Sequence, residues 1–220
     1  MSLKLVCISD THEKQAQVRL PEGDVLVHTG DLTNQGSIPA LTKVAAWFKE
    51  QDYKYKVLIS GNHDFGFQNA NHDAAVKLFT DVGVTYLQDS ETVIEGIKFY
   101  GAPWQPWFMD WAFNLPRGKK IAEKWAKIPD DTNVLMTHGP PHGILDLVED
   151  TISNQGRDLH QGCEELTKRL MDLTQLKAHV FGHLHLSGGM TQVIAGVTFA
   201  NAAICTERYQ ATNKPIVIEI

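Results

Sequence analysis

The sequence predicts a layered α/β fold, on two observations. Short β-branched runs alternate with stretches of helical periodicity along the chain. Five of those runs end in histidine, aspartate or asparagine, where an open α/β sheet collects its ligand-binding groups. Residues 3–9, 24–29, 55–60, 134–137 and 178–181 read as buried strands, and 92–100, 189–203 and 215–220 as later ones. Helices are expected over 39–51, roughly 72–82, 116–127 and 162–173. Pro39 and Pro116 suit first-turn positions, where no N–H is needed. No repeat or Gly/Ser-rich linker marks a boundary, so residues 1–220 are expected to form one domain.

Composition narrows the function. The 220 residues are 43% hydrophobic and 21% charged, enough apolar matter for a packed core. The net charge of −6 repels phosphate, so no stable nucleic-acid complex and no membrane-surface binding is expected. No apolar run reaches the roughly 18–20 residues of a membrane span. The start, MSLKLVCISDTH, has no basic segment followed by a long apolar stretch. With only Cys7, Cys163 and Cys205, no disulfide framework is expected, and a cytoplasmic location fits.

The chemistry-bearing residues follow the strands in order. SDTH carries Asp10 and His12, TGD carries Asp31, and SGNHD carries Asn62, His63 and Asp64. THGPP carries His138, and FGHLH carries His183 and His185. A two-residue spacing in extended chain puts both side chains on one face, so Asp10/His12 and His183/His185 read as pincers. Each fragment alone is an ordinary turn or cap. Together they offer imidazole, carboxylate and one amide oxygen, without thiolate. That mixture suits Mn, Fe, Co, Ni or Zn better than Ca or Mg, and two ions sharing a carboxylate better than one tetrahedral zinc.

The pattern D-x-H, G-D, G-N-H-D, H and G-H-x-H resembles the calcineurin-like metallophosphoesterases. The resemblance implies a four-layer α/β/β/α sandwich of two mixed sheets. It implies that Asp10, His12 and His185 hold one divalent ion, that Asn62, His138 and His183 hold a second, and that Asp31 bridges them. Mn2+ is the first choice of metal, with Fe, Zn, Co or Ni as alternatives. A hydroxide formed between the ions would attack phosphorus in line. His63 resembles the family's catalytic histidine, and Asp64 is expected to orient its ring. The segments GAPWQPWFMDWAFNLPRG, THGPPHGILD and QGCEEL are similar to the metallophosphoesterase-domain-containing subgroup, which is linked to class III cyclic nucleotide phosphodiesterase activity.

The expected reaction is therefore metal-dependent hydrolysis of a small phosphodiester, with 2′,3′- or 3′,5′-cyclic nucleotides favoured by the resemblance. A phosphomonoesterase or protein phosphatase is the alternative, and a catalytically weak scaffold a further one. Residues 103–113, with Trp104, Trp107, Phe108, Trp111 and Phe113, are either a stacking wall for a base or an aromatic anchor for a long loop. Trp107 and Arg117 are candidate substrate contacts. His142 follows the prolines of the fourth block, where an apolar residue is expected in the subgroup, and either lines the site or sits at its rim. His28 reads as a hydrogen-bonded core histidine, and His72, His160 and His179 as surface or capping residues. Cys163 reads as a packed side chain at a helix start.

Overall fold

A computed structural model describes residues 2–149 and 158–220. Its first sheet is built on β1 (Lys4–Ile8), β2 (Val25–His28) and β3 (Tyr55–Leu58), which run parallel. The two-residue β4 (Thr85–Tyr86) closes one edge, and the antiparallel β13 closes the other, giving the order β13-β1-β2-β3-β4 with β13 spanning Ile216–Glu219. The second sheet has the order β11-β12-β10-β9-β6-β5. Its parallel centre is β6 (Ile97–Ala102), β9 (Val134–Thr137), β10 (Ala178–Phe181) and β12 (Val197–Asn201). Its antiparallel edges are β5 (Ser90–Ile94) and β11 (Met190–Ile194). A third pairing joins β7 (Gln105–Pro106) to β8 (Asn114–Leu115).

Alternation along the strands builds the layers. Leu5, Cys7, Val25, Val27 and Val57 face Phe99, Val134, Met136, Ala178 and Val180 of the other sheet. Their neighbours Val6, Ile8, Leu26 and Leu58 face outward against α1 (Ile38–Glu50) and α2 (His72–Thr80) through Leu41, Val44, Phe48 and Phe79. On the far side Tyr100, Ala102 and Leu135 meet Ile121, Trp125 and Leu166 of α3 (Lys119–Trp125) and α4 (Glu164–Leu170). The result is the expected two mixed sheets between helices. Each fully buried aliphatic or aromatic side chain contributes ~1.5–3 kcal/mol. None of the described helices is long and apolar enough to cross a membrane.

Local chemistry explains where the elements start and stop. Ser37 caps α1 by accepting from the Ala40 N–H, with Pro39 in the first turn as expected. Pro116 is not in a helix: α3 begins at Lys119, after Gly118 turns with φ +79°. The strands expected over 92–100 and 189–203 are each a hairpin. Glu95-Gly96 and Ala195-Gly196 take positive φ at both positions, the geometry of a two-residue turn that matches strand twist. His179 is not on the surface but fully buried in β10, where its Nε2 lies 2.8 Å from the Thr137 hydroxyl. His28 is the expected core histidine, bonded to the Thr11 hydroxyl at 3.0 Å. Cys163 is packed, its thiol pushed up to about 11 by burial.

Candidate metal centre

The carboxyl ends of β1, β2, β3, β9 and β10 lie on one side of the paired sheets, and the five polar motifs meet there. Ser9 bridges to Ala203, and Ile204 N donates to the Ser9 carbonyl, which ties the end of the first sheet's β1 to the chain leaving β12 of the second. Asp10, His12, Asp31 and His183 all adopt left-handed backbone, with φ between 43° and 66°. Such conformations are strained for non-glycine residues and are held only where the surroundings over-determine them. Two glycines make room: a Cβ at Gly182 would lie 1.9 Å from Asp10 Oδ2, and one at Gly61 2.3 Å from Asp31 Oδ1.

Three groups of ligand atoms gather, each within 4.8 Å: Asp10/His12/His185, His12/Asp31/His63 and Asp31/His138/His183. Asn62 joins the last group, its Oδ1 2.8 Å from His138 Nε2. Asp31 belongs to two of the three groups, so its carboxylate lies between the two halves of the cluster. The His63 N–H donates to Asp31 Oδ1 at 2.8 Å, and His63 Nε2 faces Asp31 Oδ2 at 3.9 Å. The rings are aimed from behind: His138 Nδ1 donates to the Thr29 carbonyl at 2.9 Å and His185 Nδ1 to that of Thr206 at 3.0 Å. Each therefore turns Nε2 toward the centre.

The electrostatics fit a cation pair. Asp10 and Asp31 are buried, yet their carboxyls sit well below the usual range. Burial opposes this, but the hydrogen bond and charge of His185 outweigh it at Asp10, and His138 does so at Asp31. Burial alone would lower His138; the Asp31 charge instead lifts it to about 9. Burial pushes His183 down to about 3 and lowers His12, leaving both rings neutral and able to donate a lone pair. Both ring nitrogens of His12 are buried without a hydrogen-bond partner. An unpartnered buried imidazole facing two carboxylates is explained by an ion that it ligates. The residues present therefore fit two divalent ions.

A family model described as calcineurin-like phosphoesterase matches residues 3–187, a span that includes every residue of the cluster. The chain belongs to the calcineurin-like phosphoesterase family. Members of known sequence include metallophosphoesterase domain-containing protein 1 of Homo sapiens, 38% identical over 99% of this chain and 71% of that one. A UPF0046 protein of Caenorhabditis elegans is 40% identical over 99% of this chain and 75% of its own length. A solved structure superposes with a TM-score of 0.66 at 16% identity, covering 91% of this chain and 90% of that one. A Thermus thermophilus protein superposes with a TM-score of 0.60 at 10% identity, covering 91% and 89%. These two likenesses show the shared fold.

Other residues sit differently from what the phosphoesterase pattern suggests. Asp64 does not orient the His63 ring. Its Oδ1 accepts from the Thr33 N–H and hydroxyl, and its Oδ2 from Leu32 N and Gly61 N, so it clamps the β2 and β3 loops together. The His63 ring instead donates from Nδ1 to the Asn34 carbonyl at 2.9 Å. Asp64→Asn sets an NH2 group against two buried donors whichever way the amide turns. The expected loss is about 2–3 kcal/mol, a fall in Tm of about 4–12 °C for a chain this size. An unshifted Tm in thermal unfolding would contradict the clamp.

The substrate candidates divide. Arg117 lines a cavity but is tied down, donating to the Gly162 and Gln161 carbonyls and pairing with Glu164. His142 turns away, its ring 5.7 Å from that of His160 and its Nδ1 3.8 Å from Asp146 Oδ2. The aromatic loop has buried and exposed members. Phe113 is buried and Trp104 packs against it, whereas Trp107 is 60% exposed. Sequence reasoning missed Tyr209, whose ring packs 4.8 Å from that of His12, and the stacking of Trp111 on His63. Tyr209 adjoins no motif, and nothing in the aromatic segment that holds Trp111 points to His63.

Proposed function

We propose that this phosphoesterase hydrolyses small phosphodiesters, with 2′,3′- and 3′,5′-cyclic nucleotides as its substrate class. One observation carries the choice of a nucleotide-sized ester, and the preference for a diester follows from the resemblance of the motifs. A cavity of about 600 Å³, walled by Trp107, Phe108, Met109, Arg117, Gln161 and His183, opens beside the metal centre. A smaller cleft of about 300 Å³ lies over the centre itself, and Phe108, Met109 and His183 line both. A phosphate bound in the cleft would extend one organic arm into the cavity, which is of ligand-pocket size and has aromatic faces for a base.

Asp10, His12 and His185 would hold one divalent ion, and Asn62, His138 and His183 a second, with Asp31 shared. Manganese leads the candidates for this mixed N/O set, ahead of Fe, Zn, Co and Ni. The bound ions supply Lewis acidity and a nucleophile active near neutral pH. The chain supplies the rest. Walls on both sides of His183 align the ester so that a water oxygen attacks phosphorus opposite the bond that breaks. As the imidazolium, His63 gives its Nε2 proton to the departing oxygen and is left neutral, with Nε2 facing the cleft while Nδ1–H stays on the Asn34 carbonyl. Cys7, Cys163 and Cys205 are buried and unpaired, which fits a reducing cytosol.

A panel of cyclic nucleotides, linear diesters and monoesters tests this reading, with Mn2+ and then with chelator. Diesters should be hydrolysed faster than monoesters, and chelation should stop both. A preference for monoesters would favour the phosphatase alternative. Within the same panel Trp107→Ala is expected to raise KM for a nucleotide diester about tenfold, the loss of ~1.4 kcal/mol of stacking. Stability should change by less than about 0.5 kcal/mol, since the ring is exposed. Unaltered KM with lowered Tm would make Trp107 an anchor.

A further inference from the structure

His63 has no carboxylate behind it, yet its ring is held. Nδ1 donates to the Asn34 carbonyl at 2.9 Å, a single bond whose angular tolerance still lets the imidazole tilt. The Trp111 indole removes that freedom. Its ring packs against His63 in a tilted contact, with centroids 4.0 Å apart and planes 35° from parallel. His12 meets the His63 ring edge-on at 4.9 Å and 89°. These contacts restrict the ring plane, and in it Nε2 faces Asp31 at the cleft that His63 lines.

Trp111 is itself fixed to the segment that carries the site. The next residue, Ala112, donates its N–H to the Asn62 carbonyl at 3.0 Å, and Phe113 N donates to Gln68 Oε1 at 2.9 Å. The Phe65 ring lies 6.0 Å from the indole at 36°, so Trp111 has ring contacts with both Phe65 and His63. The aromatic loop is thus bonded to the very peptide that presents Asn62 and His63.

We propose that Trp111 is the positioning residue of His63: its indole fixes the imidazole plane that points Nε2 into the metal cleft. The proposal rests on His63 protonating the leaving oxygen. It makes Trp111 act through His63 and not through the substrate or the metals.

The test is a double-mutant cycle on the manganese-loaded protein with a cyclic nucleotide substrate, reading kcat, KM and metal content. Trp111→Ala is expected to lower kcat about 10–100-fold, the effect of a misplaced reacting group, with KM and metal content little changed. Trp111→Phe, which keeps a flat face, should restore most of the rate. Added to His63→Gln, Trp111→Ala should cost nothing further. An equal loss of kcat in both backgrounds, or a raised KM with kcat intact, overturns the proposal. Should the alanine variant fail to fold, Trp111→Leu against Trp111→Phe makes the same comparison of bulk without and with a flat ring. Unchanged kcat in His63→Gln alone would instead overturn the role of His63, and it is read independently of any change at position 111.

Discussion

Asp31→Asn should empty both metal positions and lower diester hydrolysis by about 10³-fold or more. The carboxylate belongs both to the group with His12 and His63 and to the group with His138 and His183, so both halves of the cluster lose it together. The amide is isosteric and retains an oxygen for the His63 N–H that Asp31 Oδ1 now accepts. It also removes one of two buried carboxylates that repel each other. The fold should therefore survive, although the metal-free Tm should fall somewhat because the pairing of Asp31 with His138 is lost as well. Metal analysis of the variant checks this: two tightly held ions would contradict the shared role of Asp31.

His63→Gln should keep the metals and lose turnover by about 10²–10⁴-fold, the usual worth of a general acid. The size of the loss depends on the leaving group. A ribose alkoxide needs a proton as it departs, so cyclic nucleotides should show the full effect. A nitrophenolate leaves as a stable anion, so bis-p-nitrophenyl phosphate should show much less. Steady-state kinetics on both substrates separate the outcomes. Equal losses on the two would assign His63 to binding or to metal geometry, and unchanged kcat on the cyclic nucleotide would remove it from the reaction.

The candidate ligands were legible because parallel sheets advertise their sites. Buried parallel strands read as continuous apolar runs, and whatever polar residue follows stands at a carboxyl end. Asp10, Asp31, Asn62, His138 and His183 could be picked out on that ground alone, and the chain order of the motifs did the rest. What aims them could not. The Thr29, Asn34 and Thr206 carbonyls that set the rings are backbone atoms and carry no residue signature. The left-handed backbone at Asp10, His12, Asp31 and His183 opposes local preference, and only the assembled loops impose it.

Asp64 and His179 show the opposite failure. Adjacency to His63 suggested that Asp64 would serve the ring, but side chains one residue apart point different ways, and its oxygens met three donors from the loop after β2 and one from Gly61 in its own loop. A polar His179 suggested surface, but it lies in a central strand where Thr137 satisfies its Nε2. The two hairpins were hidden because Glu95 and Ala195 are unusual at positive φ, so neither turn announced itself as Asn-Gly would.

The claim on which the rest depends is that these side chains hold two ions around one shared carboxylate. Equilibrating the protein with Mn2+, removing the unbound metal and counting ions by mass spectrometry, with anomalous diffraction to place them, tests it most directly. Two manganese ions per chain, one beside Asp10, His12 and His185 and the other beside Asn62, His138 and His183, both touching Asp31, is the predicted result. A chain that retains no metal, or a single ion away from Asp31, would contradict it.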